Sequence, residues 1–515
     1  MKQAEVLAYL NHQVDRHNLR KYMQFNTELE HARYDEERNL WVVDCSTREA
    51  FTARYLITAL GLLSKTNFPN IKGIETFLGE MYHTGYVGGV QLLLLIFPSL
   101  LSFLLNFMFL LSTSKWPQSH DFTQKRVGII GNGSTGVQVI TEIAKEVKSL
   151  TCFQRTPQYS VPSGDGPVSK EYRDSINSRW DEIWAQVRNS NVAFGFEEST
   201  VPTLSVSAEE RERIFEEAWR LGNGFRFMFW TFNDLTVDGA ANEEACKFIR
   251  KKIRETVRDP EKARKLQPDD FYARRPLCDA GYYEQFNREN VDIVSLKETP
   301  IQEITETGVT LVDGTRFDLD VLIFATGFDA VDGNYTRVAI QGRDGVSLRD
   351  HWAANGGPTT YLGSFVPGFP NFFMLTGPNS PFTNLPPTIE TQVEFISDIV
   401  GLAESRNDKG STKDTTNALS NGISVNGDIP QSAQTLSLPT HGPVIEALPE
   451  SEQKWTQLCK DLCENSLFKR SASWIFGANI PGKTQTVMFY FGGLAKYRKI
   501  LADVVDAGYS GFKPF

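Results

Sequence analysis

The sequence predicts an α/β fold in which two βαβ-type units interleave around a helical insertion, and three observations carry that prediction. First, the strand-like run KRVGII leads into Gly131-Asn132-Gly133-Ser134-Thr135-Gly136, then the amphipathic stretch VQVITEIAKEV and a second strand at Leu150–Gln154. That order, strand, glycine turn, helix, strand, defines a βαβ unit. Second, two short turns close other apolar strands: Ala59-Leu60-Gly61 and Ala325-Thr326-Gly327-Phe328-Asp329. Glycine there lets the backbone pass close to a bound group. Third, residues from about 169 to 268 carry helical periodicity, as in AEERERIFEEAWRL and NEEACKFIRKKIRETV. The expected architecture is two interleaved Rossmann-like dinucleotide-binding domains, one broken in sequence by the other.

Bulk properties agree with a large enzyme and exclude some classes. With 515 residues, 41% of them hydrophobic, the chain can bury more than one core. A net charge of -10 argues against nucleic acid as a partner, because nothing broadly basic is available to neutralise phosphates. Cysteines at 45, 152, 246, 278, 459 and 463 form no disulfide framework, and Cys459 and Cys463 lack a second pair to complete a metal site. No metal is expected. The N-terminal stretch lacks a secretory signal, so the expected location is cytoplasmic.

Element by element, a helix is expected over Glu5–Arg20, with Leu7, Tyr9, Leu10 and Val14 on one side. Short strands are expected at Met23–Asn26, Leu29–Tyr34, Leu40–Asp44 and Phe51–Leu60, with a hairpin turn at Asp35–Asn39. Residues Tyr86–Ser114 are long and apolar enough to span a bilayer. Strand signals return at Val291–Ser295, Ile301–Thr305, Val309–Leu311 and Val321–Ala325. Lys409–Gly442 is rich in Ser, Thr, Asn and Gly and reads as a disordered loop. Phe225, Phe227, Phe229, Trp230 and Phe232 form an aromatic group for which core packing and a substrate-facing wall are both open readings.

The glycine loop carries the chemistry. Gly131 permits the tight turn, Gly133 lets a pyrophosphate approach the backbone, and Gly136 lets helix and strand pack closely. The helix start then offers amide donors and a positive dipole end to phosphate. An NAD site would place a carboxylate at the end of the second strand. This sequence reads Phe153-Gln154-Arg155-Thr156-Pro157, and an arginine suits a ribose 2′-phosphate, so the expected cofactor is NADP(H).

Around the apolar block the text reads Phe77-Leu78-Gly79-Glu80-Met81-Tyr82-His83-Thr84-Gly85, and Lys115-Trp116-Pro117 follows it. With residues 86–114 removed, the two halves join as FLGEMYHTGKWP. This resembles FxGxxxHxxxW[P/D], the fingerprint of the Baeyer–Villiger flavin monooxygenases. The resemblance continues through FQRTP, Arg274-Arg275-Pro276-Leu277-Cys278-Asp279, YYEQFNRENV, FATGFD, LTGPNSP and SWIFGANIPGK, covering nearly the whole chain outside two odd blocks.

The resemblance implies an enzyme using FAD and NADP(H) to insert one atom of O2 beside a ketone carbonyl, giving an ester or lactone. Arg275 matches the family's catalytic arginine, which holds the anionic oxygenated flavin beside the nicotinamide; an ion pair with Asp279 or Glu284 is the alternative. Arg274 stands where a basic residue lies near the 2′-phosphate. His83 and Trp116 match linker residues that couple cofactor binding to domain movement, and Trp474 and Lys483 lie on a loop that closes over the cofactor. Family members open with an earlier GxGxxG for FAD, whereas this sequence starts on a helix the family places after it. The expectation is therefore a truncated FAD domain that holds its cofactor weakly, near Leu29, Gly61, Asp329 and Pro378.

The implied domains are 1–85 as the first FAD-domain piece, 86–114 as an apolar insert, and 115–330 as the NADP domain with its helical insertion. Residues 331–408 return to the FAD domain, 409–442 form a disordered insert, and 443–515 complete the FAD domain with the closing loop. Because its removal joins the two halves of a motif, 86–114 reads as a retained intervening sequence. A single membrane span at about 87–111 is the other reading. Oxygenation of amine or sulfide heteroatoms, and a silent NADP-binding protein, are the competing functions.

Overall fold

The computed structural model describes residues 3–85, 121–411 and 442–515. The apolar block, Trp116 and most of the Ser/Thr/Asn-rich stretch lie outside the described residues. Helix α1 (Gln3–Arg16) opens the chain, followed by β1 (Leu29–Asp35), β2 (Leu40–Cys45), β3 (Ala50–Ala53) and β4 (Leu56–Thr58). The strand expected at Met23–Asn26 is irregular chain instead, and Phe51–Leu60 divides into two strands. Tyr22, Met23 and Phe25 are exposed, so no buried face selects an extended register there.

Strands β5 (Lys65–Thr66), β6 (Glu80–His83) and β7 (Arg126–Ile130) precede helix α2 (Ser134–Ile143) and strand β8 (Ser149–Gln154). Strand β9 (Ser160–Pro162) leads to the helical insertion, whose longest members are α3 (Ala208–Leu221) and α4 (Gly239–Thr256). The chain returns through β10 (Leu277–Asp279) and β11 (Val291–Ser295). An antiparallel trio, β12 (Ile301–Thr305), β13 (Gly308–Leu311) and β14 (Arg316–Asp318), follows, then β15 (Val321–Phe324) and β16 (Phe328–Asp329).

The nucleotide sheet is parallel throughout, in the order β11-β8-β7-β15-β6. All four residues of β15 are buried, as are the last four of β7, and such continuous apolar runs suit a sheet covered on both faces. Strand β6, which the sequence reading grouped with the first FAD-domain piece, is the edge strand of this sheet. Val127, Ile129, Val137 and Ile140 share one core with Phe215, Phe227, Phe232 and Ile249, so the helical insertion packs directly on the βαβ unit.

A second sheet joins β17 (Ala339–Gln341) to β1, β2 and β3, and strand β18 (Phe372–Met374) pairs in parallel with β4. Trp41, Phe369, Phe372 and Met374 form their core. A long helix, Leu385–Ser411, takes in the first three residues of the stretch expected to be disordered. All six cysteines are free. Among the described residues no helix is long and apolar enough to cross a membrane, and no metal-ligand cluster occurs.

Candidate active site

The site lies at the carboxyl end of the nucleotide sheet. Gly131 has φ +101°, and a Cβ there would stand 2.5 Å from the Ala325 carbonyl oxygen on the neighbouring strand. At Gly136 a Cβ would stand 2.4 Å from the Gly131 carbonyl oxygen, so helix and turn meet only because both are glycine. Gly133 differs: nothing lies within 4 Å of where its Cβ would be. Gly133 is also the N-cap of α2 and no side chain caps that helix. Open space, unsatisfied amides and the positive end of the helix dipole coincide at Gly133, and this set fits a pyrophosphate.

Residues distant in sequence converge on this turn. The Arg275 Nη1 reaches Ser134 Oγ at 3.4 Å and its own neighbour's Pro276 carbonyl at 3.2 Å, and it makes no ion pair among the described residues. The alternative pairing with Asp279 fails because that carboxylate is occupied. It accepts from Ser160 Oγ at 2.5 Å and from the Gly281 and Tyr282 amides at 2.9 Å. Arg274, next door, is instead ion-paired with Asp270, and its Nε is buried without a partner.

At the end of β8, Gln154 is turned inward: it accepts from Asn132 Nδ2 at 2.7 Å and donates to the Lys265 carbonyl at 2.6 Å. Asn132 is thus a strut of the turn. Arg155, the next residue, is exposed and has no hydrogen-bond or ion-pair partner among the described residues. A free guanidinium where NAD enzymes hold a carboxylate fits the 2′-phosphate of NADP. Thr156 is half-buried beside it.

The β6 end contributes His83 and Thr84. His83 is fully buried, its Nδ1 accepts from the Gly85 amide at 3.0 Å, and its ring lies 4.7 Å from Phe68. Desolvation depresses it to about 4, so it is neutral near pH 7. Thr84 Oγ1 meets Thr135 Oγ1 at 3.0 Å, tying this strand end to the first turn of α2. The sequence carried no signal for that contact or for the Arg275–Ser134 contact, since both join residues far apart in the chain.

The residues expected beside FAD are spread along the second sheet and its flank. Leu29 begins β1 and packs against the Trp41 core. Gly61 takes φ +72° after β4, and its carbonyl accepts from Asn334 Nδ2 at 2.5 Å. The Pro378 carbonyl accepts from Thr360 Oγ1 at 2.5 Å, and the following Asn379 has a buried Oδ1 without a partner. The longer helix that opens at Gly493 lacks a side-chain cap, as α2 does, but its first amides donate to the Asn191 and Ser190 carbonyls and a Cβ there would stand 2.7 Å from Asn191, whereas the turn at Gly133 is open. Asp329 and Lys483 are bonded to each other at 2.5 Å, and Trp474 packs edge-on against Phe489 with ring centres 6.0 Å apart.

The aromatic group of the insertion divides. Phe227 and Phe232 are fully buried in the core, whereas Phe225 and Phe229 are half-buried and stacked, Phe225 also stacking on Phe194 at 4.4 Å.

Known proteins resemble the chain over almost its full length. It is 46% identical over 508 residues to a cyclohexanone 1,2-monooxygenase of an Acinetobacter species, covering 99% of this chain and 82% of that protein. It is 44% identical over 510 residues to a phenazine N-monooxygenase of Lysobacter antibioticus, and 43% identical over 510 to a Baeyer–Villiger monooxygenase of Pseudooceanicola batsensis; each match covers 99% of this chain and 82% of the relative. A closed crystal structure of cyclohexanone monooxygenase superimposes with a TM-score of 0.85 at 48% identity, covering all of this chain and 84% of that one. The NADP+-bound enzyme from a Rhodococcus species gives 0.85 at 50% identity with the same coverage. No protein-family model matches the chain. The fold, the cofactor-binding turn and these relatives place the chain in the Baeyer–Villiger monooxygenases, FAD- and NADPH-dependent enzymes that insert one atom of O2 beside a ketone carbonyl.

Proposed function

We propose that this chain converts a cyclic ketone to a lactone, consuming one NADPH, one proton and one O2 and releasing NADP+ and water. The observation that carries this reading is Arg275, a permanently charged guanidinium held beside the phosphate turn with no carboxylate partner among the described residues. In the proposed roles the amides of Gly133, Ser134, Thr135 and Gly136 hold the cofactor pyrophosphate. Arg155 and Thr156 take the 2′-phosphate, backed by the charge of Arg274, while Gly131 and Asn132 shape the turn.

When bound, FAD supplies hydride acceptance and O2 activation, the chemistry that no side chain can provide. Arg275 stabilises negative charge on the oxygen being transferred, and in a site closed to water such a charge counts for far more than in bulk solvent. His83, neutral and buried, orients the linker without adding charge to the site. Leu29, Gly61, Asp329 and Pro378 are assigned to the flavin side, and Trp116, Trp474 and Lys483 to ordering the segments around the nicotinamide. The proposed domain assignment is 115–330 for NADP, with 1–85, 331–408 and 443–515 for FAD, although β6 of the first piece joins the nucleotide sheet. A cytoplasmic location is proposed as well, which six free cysteines suit.

The test is lactone formation from cyclohexanone and cyclopentanone by the full chain with FAD, NADPH and 18O2. One labelled oxygen in the lactone is expected, and NADPH consumption that yields only hydrogen peroxide would count against the reading. The 44% identity to a phenazine N-monooxygenase favours heteroatom oxygenation as a second reading. Phenazine and thioether substrates run beside the ketones separate the two.

A further inference from the structure

Between Ser471 and Tyr490 the chain carries one charged residue, Lys483, and that residue points inward. Its neighbours Pro481, Gly482, Thr484 and Gln485 are exposed, yet its own side chain is only 15% exposed. The Nζ lies 2.5 Å from Asp329 Oδ1 and 2.5 Å from Asp332 Oδ1, and Lys65 Nζ lies 3.0 Å from the second Asp329 oxygen. Lys65 also donates to Thr336 Oγ1 at 2.9 Å. Two carboxylates and two ammoniums thus balance in a largely desolvated cluster. The stem of Lys483 lies over Gly477, where a Cβ would meet it at 3.2 Å.

Among the described residues the main chain of this segment supplies a single hydrogen bond to its surroundings, through the Asn479 carbonyl. The amides of Gly477, Ala478, Ile480, Lys483 and Thr486 all donate back to carbonyls between Ser473 and Ile480. Apart from Lys483, its hydrogen bonds to the strand-end region run through Asn479, whose Nδ2 donates to the Phe328 carbonyl at 2.7 Å and whose main-chain carbonyl accepts from Asn67 Nδ2 at 3.3 Å. The Lys483 and Asn479 side chains both land on the chain just past β15, within a few residues of Ala325, whose carbonyl abuts Gly131 in the phosphate turn.

We propose that Lys483 and Asp332 are positioning residues: with Asp329 they form a charge latch that docks residues 477–486 beside the nucleotide turn and so sets how well NADPH is held. This rests on reading that turn as the NADPH site. Burial pushes Asp332 above the usual carboxylate range, whereas at Asp329 the two ammoniums outweigh burial and lower it. Among the described residues Lys483 is the one cation paired with Asp332, whereas Asp329 keeps Lys65 if Lys483 is lost. Removal of Lys483 strands a carboxylate, but Asp332→Asn leaves Lys483 with one partner.

The test is hydrogen exchange of peptides spanning 474–486 in the full chain without cofactor, comparing wild type with Lys483→Met, Asp332→Asn, Lys483→Arg and the Lys483→Met/Asp332→Asn pair. Exchange is expected to rise at least tenfold in Lys483→Met, less in Asp332→Asn, and least in Lys483→Arg. The double variant should recover thermal stability relative to Lys483→Met while its 474–486 peptides stay fast, because the stranded charge is gone but the latch is not restored. The KM for NADPH should rise severalfold with kcat changed less. Unchanged exchange in Lys483→Met, or slow exchange in the double variant, overturns the latch. If Lys483→Met does not fold, unchanged exchange in both Asp332→Asn and Lys483→Arg overturns it equally. A chain that binds no NADPH would sink the cofactor reading and leave the exchange result standing, so the two failures are distinguishable.

Discussion

The phosphate turn and the Lys483 cluster lie at the same end of the nucleotide sheet and treat their charges in opposite ways. At the turn, helix amides are uncapped, Arg155 is free and Arg275 makes only two long contacts to neutral oxygens. Around Lys483 each charge is answered within 3.0 Å by an opposite one. The adjacent arginines repeat the contrast, Arg274 being closed on Asp270 and Arg275 open. The open arginines are exposed and keep their charges available to an anionic ligand, whereas the buried charges of the closed set must be paired, so the open set fits a ligand site and the closed set holds the frame.

The sharpest way to break this comparison is Arg275→Ala. An open charge that acts on the reacting oxygen should cost about 10²–10³ in kcat when removed, the scale known for single charge-stabilising donors. Thermal stability should be nearly unchanged, since Arg275 holds no ion pair among the described residues. A large drop in melting temperature with activity otherwise retained would move Arg275 into the closed set.

His83 tests the closed side. Its ordinary pKa is 6.5 and burial lowers it to about 4 in the folded chain, so the unfolded chain takes up a proton first as pH falls. Stability from this group is complete above about 6.5 and is lost progressively as pH falls toward 4, by roughly 3 kcal/mol in all. Denaturant unfolding of wild type and His83→Gln between pH 4 and 7 should show this slope in wild type and its loss in the variant. Equal slopes would place the titration elsewhere.

Next in size is Arg155→Ala. Loss of a charge-assisted contact to the 2′-phosphate should lower kcat/KM for NADPH by about 10- to 100-fold, because a hydrogen bond to a charged group is worth about 1.5–3 kcal/mol. The value for NADH should change little. Parallel losses for both cofactors would mean that Arg155 supports the fold and does not read the phosphate.

How much of this was legible in the sequence depended on distance along the chain. The βαβ order around Gly131 and the position of Arg155 just past its second strand are local, set by glycine spacing and strand periodicity, and the structure has the same order of elements; that Arg155 is unpaired among the described residues was not legible. The pairing of β6 with β15 was not legible, because a four-residue strand carries too little pattern to name its neighbour. Asp332 carried no signal at all: a carboxylate in a turn reads as surface, and only the fold brings Lys483 to it across 151 residues. The strand wrongly expected at Met23–Asn26 failed for the converse reason. Its residues have strand propensity, but no partner strand or core buries them.

Thr84 is the smallest and most discriminating case, because its hydroxyl pair with Thr135 joins the closed β6 end to the open turn. One neutral hydrogen bond contributes about 1 kcal/mol, so Thr84→Val should cost no more than that in stability. Its effect on NADPH should be a rise in Kd of severalfold, because Thr135 sits in the uncapped first turn of α2 and loses its lateral support. Thr135→Val should match it, and the double variant should be no worse than either single one, since both remove the same bond. Additive losses would show that the two hydroxyls act separately, and that the boundary between frame and ligand site falls between them, with no bond crossing it.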